Sequence, residues 1–69
     1  MERIYPKKYP EIKCNDSFIL YDVKNISGFH NYELAIKYFN KSEMGELFIR
    51  RDDGTKFVEI LIMSKLNVN

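Results

Sequence analysis

The chain has no tryptophan, one cysteine, one histidine, three glycines and two prolines, and neither sign of charge dominates. Each scarcity removes a class of function. Cys14 cannot close an intramolecular disulfide, and with His30 as the one imidazole there is no zinc-type ligand set; the expectation is a reducing, cytoplasmic compartment. Gly28, Gly45 and Gly54 are scattered, so no glycine-rich loop is present to cradle a nucleotide phosphate. Lys and Arg number 11 against 10 Asp and Glu, a net charge of +1, which provides no global field to attract nucleic acid, acidic substrates or an anionic membrane. No apolar run exceeds four residues, as at Ile60–Met63, far short of a bilayer span. The opening MERIYPKKYPEIK holds no signal-peptide core.

What is present belongs to one small folded unit. Sixty-nine residues bury only about 60% of the surface that the unfolded chain exposes. The 45% hydrophobic and 30% charged content is nonetheless that of a folded protein rather than a disordered tail. Ile, Lys, Asn, Tyr and Phe, all with A/T-rich codons, make up 32 of the 69 residues. That bias points to an A/T-rich gene, as in a low-GC bacterium, its phage or a mobile element.

Residues 1–16 read as an extended arm or irregular edge strand. Pro6 and Pro10 each lack a backbone donor and push the preceding Tyr5 and Tyr9 toward extended geometry. Asn15-Asp16-Ser17 signals a turn, and Phe18–Lys24 is rich in residues that suit a pleated surface. This predicts a strand with Ile19, Tyr21 and Val23 on one face and Phe18, Leu20 and Asp22 on the other, broken by Ser27-Gly28. From Asn31 onward the period becomes helical: Tyr32, Ala35, Ile36, Tyr38 and Phe39 share an arc opposite Glu33, Lys37, Asn40 and Lys41. Asn31 is the expected cap and Gly45 the expected stop.

ELFIRRDDGTKFVEILI, residues 46–62, predicts a hairpin turning at Asp53-Gly54. Ile49 would then face Val58, and Arg50 would face Phe57. One side becomes Leu47, Ile49, Val58, Ile60 and Ile62; the other becomes Glu46, Phe48, Arg50, Phe57, Glu59, Leu61 and Met63. Asp52, Asp53 and Gly54 are turn chemistry, and Arg50 and Arg51 point to opposite faces, so they cannot form a single clamp. The predicted fold is α+β, with a β-α-β-β core over 17–66: one helix on a three- to four-stranded, mostly antiparallel sheet, preceded by the arm.

No catalytic residue, metal site or cofactor emerges. His30 and Cys14 have no orienting third group, Asp52 and Asp53 are too few for a metal, and the glutamates are dispersed. The leading expectation is a non-catalytic protein-binding module, because one helix covers one sheet face and leaves Phe48, Phe57, Leu61 and Met63 on the other, with Phe18 and Leu20 available beside them. The arm, Leu66 and Val68 are the chain's own means of covering that face; otherwise it is a self-association or partner surface, and an open sheet edge would offer strand addition as a second mode. Phe48, Arg50, Phe57, Leu61 and Met63 are the expected contact residues, on a phage or mobile-element accessory protein that inhibits or modulates a host protein. The alternative is a nucleic-acid-binding regulator in which Arg3, Lys7 and Lys8 hold phosphates while Tyr5 and Tyr9 stack on bases.

Overall fold

Five strands and one helix make up residues 2–66, which the computed structural model describes. In chain order they are β1 (Glu2–Ile4), β2 (Ser17–Tyr21), β3 (Ile26–Phe29), α1 (Tyr32–Lys41), β4 (Glu46–Asp52) and β5 (Phe57–Ser64). The sheet runs β1-β5-β4-β2-β3. All neighbours are antiparallel except β1, which lies parallel to β5 with Arg3 opposite Glu59. The α+β expectation holds in its coarse form, but the sheet is mixed and five-stranded rather than three- to four-stranded.

The two extra strands sit at the sheet's edges. Part of the arm pairs as β1. Ser27-Gly28, expected to break the first strand, instead lies inside β3, where Ser27 pairs with Leu20 and Gly28 with Ile19. The break falls earlier, at Asp22–Asn25: the Asp22 carboxylate accepts from Val23 N at 2.8 Å and Asp22 N donates to Asn25 O at 2.9 Å. An Asp that bonds its own backbone competes with the ladder, so the predicted strand ends at Tyr21 and Val23 is exposed.

Helix α1 packs on β2, β3 and β4. Asn31 caps it, its side-chain oxygen accepting from Leu34 N at 3.0 Å. The C-cap is Ser42, three residues before the expected Gly45. Ala35 and Phe39 are buried against Phe18, Leu20, Leu47, Ile49, Val58, Ile60 and Ile62. Phe18 and Leu20 therefore belong to the helix-side core, not to the opposite face, because β2 pairs with β4 in the register Phe18↔Ile49 and Leu20↔Leu47.

In the hairpin, Ile49 faces Ile60 and Arg50 faces Glu59. The Asp53 amide donates to Lys56 O at 2.9 Å, which places the tip at Gly54-Thr55, one residue beyond the expected turn. Every pair thus shifts by two, an even displacement that keeps side chains on their expected faces. The exception is Met63. A bulge inserts Ile62 between the Phe48↔Leu61 and Leu47↔Met63 pairs, and beyond it both Ile62 and Met63 pack toward the helix-side core. Val68 lies outside the described residues.

Candidate functional site

The face away from the helix carries a buried polar knot built from three strands. Glu59 on β5 is 3% exposed. Its Oε1 accepts from Arg3 Nε on β1 at 3.0 Å, and its Oε2 accepts from the Tyr21 hydroxyl on β2 at 2.5 Å. A buried carboxylate requires such partners, since desolvation without them would expel the charge. The Arg3 guanidinium also lies over the rings of Tyr21 (4.6 Å) and Phe48 (5.0 Å). Tyr21 and Tyr5 both meet Phe48 edge to face, at 5.5 and 6.1 Å. Contacts with Tyr21 and Glu59 push the Arg3 guanidinium above its ordinary pKa. Burial, and then the bond to Glu59, raise the Tyr21 hydroxyl, with Arg3 opposing.

This knot answers what covers the second sheet face: Arg3, Tyr5 and Tyr21 do. Phe48, expected at the contact surface, is 0% exposed beneath them. Leu61 and Met63 are half-buried. Phe57, 48% exposed, remains at the surface with Arg50 over its ring at 4.7 Å. Arg50 is half-buried, and its Nε is buried without a hydrogen-bond partner among the described residues. The five expected contact residues therefore do not form one patch. Sequence periodicity placed Phe48 and Glu59 on the right face, but nothing in it showed that a single arginine 56 positions away would seal them.

The nucleic-acid set is likewise divided. Arg3 is committed to Glu59, and the Tyr9 hydroxyl pairs with that of Tyr32, while Lys7 and Lys8 stand exposed at a bend. A second ion pair ties the end of the arm to the sheet. Arg51 meets the buried Asp16 through Nε and Nη2, both at 2.8 Å, and also donates to Glu11 O at 2.8 Å. Burial pushes the Asp16 carboxyl up, but Arg51 and the Lys13 amide outweigh it and hold it below the usual carboxylate range. Asp53 is lowered by backbone N–H groups of Thr55 and Lys56, which completes its role as a turn former.

The edges differ in chemistry. β1 ends the sheet with Glu2, Arg3 and, two residues on, Pro6, all of which discourage further pairing. β3 ends it with Ile-Ser-Gly-Phe, free of charge, proline and bulge. Ile26 is 71% exposed on that edge, with exposed Val23 in the adjoining turn; on the flanking helix the exposed Tyr38 stacks on Phe29 at 5.3 Å, and Leu34 is also exposed. Sequence reading missed this edge because Ser27-Gly28 has low strand propensity; the signal available was Ile26 and Phe29 around it.

Cys14 and His30 are both exposed. Among the described residues no group of three His, Cys, Asp or Glu side chains comes together to hold a metal, and no helix is long and apolar enough to cross a membrane. Comparison with protein-family models, curated proteins and solved structures finds no match.

Proposed function

We propose that the chain is a non-catalytic protein-binding module that offers the β3 edge to an extended segment of a partner protein. The observation that carries this reading is the undefended edge itself: a four-residue uncharged strand at the end of the sheet order, flanked by exposed Ile26, Val23 and Tyr38. Main-chain hydrogen bonds would supply affinity there, and alternate side chains would supply selectivity. Arg50 and Phe57 form a smaller second patch on the other half of the sheet. The A/T-biased composition fits an accessory protein of a phage or mobile element that inhibits or modulates a host protein.

The test is a tagged pull-down from host lysate with and without nuclease treatment, comparing the wild type with Ile26→Lys. The edge reading expects one protein retained by the wild type and lost with the lysine, which charges an edge strand at an already exposed position. Retention unaffected by Ile26→Lys but abolished by Phe57→Ala would move the site to the hairpin patch. Recovery dominated by nucleic acid would move it to Lys7, Lys8 and the tyrosines of the arm.

A further inference from the structure

β1 occupies a site that reads as a receptor for a specific strand. The edge of β5 presents a backbone ladder, the buried Glu59 carboxylate with Tyr21 beside it, the Phe48 ring and the exposed Lys56. Residues 2–5 match it in sequence order: Glu2 pairs with Lys56 at 3.2 Å, Arg3 with Glu59 at 3.0 Å, and Tyr5 meets Phe48 edge to face. Charge complementarity is thus double and of opposite sense at adjacent positions, so this edge selects both the strand and its register.

The strand itself is held lightly apart from these contacts. β1 is three residues long, all of them exposed, and it pairs along one side only. The arm is pinned again from Tyr9 onward, through Tyr32, Arg51 and Asp16. Between the two anchored parts lies an exposed hinge, Pro6–Lys8, which bends at Lys7-Lys8. The bend sets two like charges side by side, and Pro6 holds Tyr5 extended on its approach. Straightened, those three residues span about 10 Å, roughly two strand spacings.

The geometry points to a strand-exchanged dimer in which residues 2–5 of each copy seat on the β5 edge of the other. Every contact of β1 is then remade between copies, so closed and exchanged forms differ mainly at the hinge and in concentration. A vacated site is the disfavoured state, because it takes the Arg3 bond from Glu59 and uncovers the Phe48 ring that Arg3 and Tyr5 pack against. Because β1 and β3 lie at opposite ends of the sheet, exchange leaves both β3 edges free, and the dimer is bivalent toward any partner that pairs there.

Mass measured by light scattering or native mass spectrometry, after refolding at rising protein concentration, is the first test. The expected result is a growing species of twice the 8.3 kDa chain mass, reduced by inserting Gly-Ser-Gly between Lys7 and Lys8, which lengthens the hinge and favours the closed form. Deleting residues 1–4 should abolish it. The second test uses Ile4→Cys with Ile60→Cys, positions that face each other in the β1–β5 register, in a Cys14→Ser background; oxidation should give a disulfide-linked dimer on a denaturing gel. A wild type that stays monomeric at millimolar concentration overturns the proposal. So does a dimer that survives the deletion, or cysteines that link only within one chain while the dimer is present. Ile26→Lys leaves these masses unchanged, so failure of the edge reading and failure of exchange are separately visible.

Discussion

Arg50 and Glu59 stand directly opposite each other across the β4–β5 ladder, yet the Glu59 carboxylate is held by Arg3, its opposite number on the neighbouring edge strand β1. Cross-strand neighbours of opposite charge ordinarily pair. Here Arg50 lies over Phe57 instead, and its Nε is buried without a partner among the described residues. Two arginines on opposite sides thus stand in register with one carboxylate, and Arg3 is the one that holds it.

That arrangement predicts non-additivity. Removing one partner of a fully buried ion pair costs about 3–5 kcal/mol. Arg3→Ala should cost only about 1–2 kcal/mol, because Arg3 is half-exposed and Arg50 can turn to Glu59 once Arg3 is gone. Arg3→Ala combined with Arg50→Ala should exceed the sum of the single changes by about 1 kcal/mol. Urea unfolding of the four proteins measures this directly. Additive costs would show that Arg50 stays on Phe57 whatever holds Glu59.

Phe48 and Phe57 should separate stability from binding. Phe48 is fully buried on the face without a helix, between Tyr5, Tyr21 and Arg3, so Phe48→Ala should cost about 3–5 kcal/mol, as other large core truncations do. Phe57 is half-exposed and touches mainly Arg50, so Phe57→Ala should cost less than about 1 kcal/mol. Thermal melts of the two variants decide the matter. Equal losses would mean that the cover over Phe48 opens readily in solution.

The same two residues show what could be read from the chain. Alternation along 46–62 assigned Leu47, Ile49, Val58, Ile60 and Ile62 to one face, and all five are in the core, because side-chain period is a local property of a strand. The Asn31 cap and the helical arc of Tyr32, Ala35, Ile36 and Phe39 were legible for the same reason, but Tyr38, assigned to that arc, lies at its margin, exposed and stacked on Phe29. The cover over Phe48 was not, since Arg3–Glu59 and Tyr21–Glu59 are contacts between distant strands whose order no local pattern encodes. β3 was missed because Ser27-Gly28, poor in strand propensity, read as the break after the first strand, and the Met63 reversal followed from a bulge that no turn or proline announces.

Two glycines should respond to alanine for different reasons. At Gly45 a Cβ would fall 3.0 Å from Leu20 Cδ1 and closer still to Ser42 Oγ, so Gly45→Ala must displace the helix C-cap or the core and should cost about 1–3 kcal/mol. At Gly54 nothing lies nearby, but the backbone has φ +99°, and Gly54→Ala should cost about 1 kcal/mol through the left-handed conformation alone. Adding Ser42→Ala should recover part of the first loss and none of the second. Calorimetry on the four variants, two single and two double, checks this, and recovery at Gly54 would contradict the assignment.

Acid sensitivity should run through Asp16. Its carboxyl titrates below the usual range in the folded chain, because the Arg51 and Lys13 bonds outweigh the opposing effect of burial. The unfolded value is about 3.9. A depressed folded value means that the unfolded chain takes up the proton first. The contribution is therefore complete above the unfolded value and is lost as pH falls toward and through the folded one. The wild type should hold its Tm between pH 5 and 7, as far as this pair is concerned, and lose it progressively below about 4. Asp16→Asn removes the charge at every pH, so it should lower Tm near neutrality and flatten the acid slope. Exposed Asp53 is lowered too, by its own turn amides, so some slope should persist in Asp16→Asn and diminish further when Asp53→Asn is added. An unchanged slope in Asp16→Asn would show that the Arg51 pair contributes no differential proton binding and that the arm is fastened to the sheet by its other contacts.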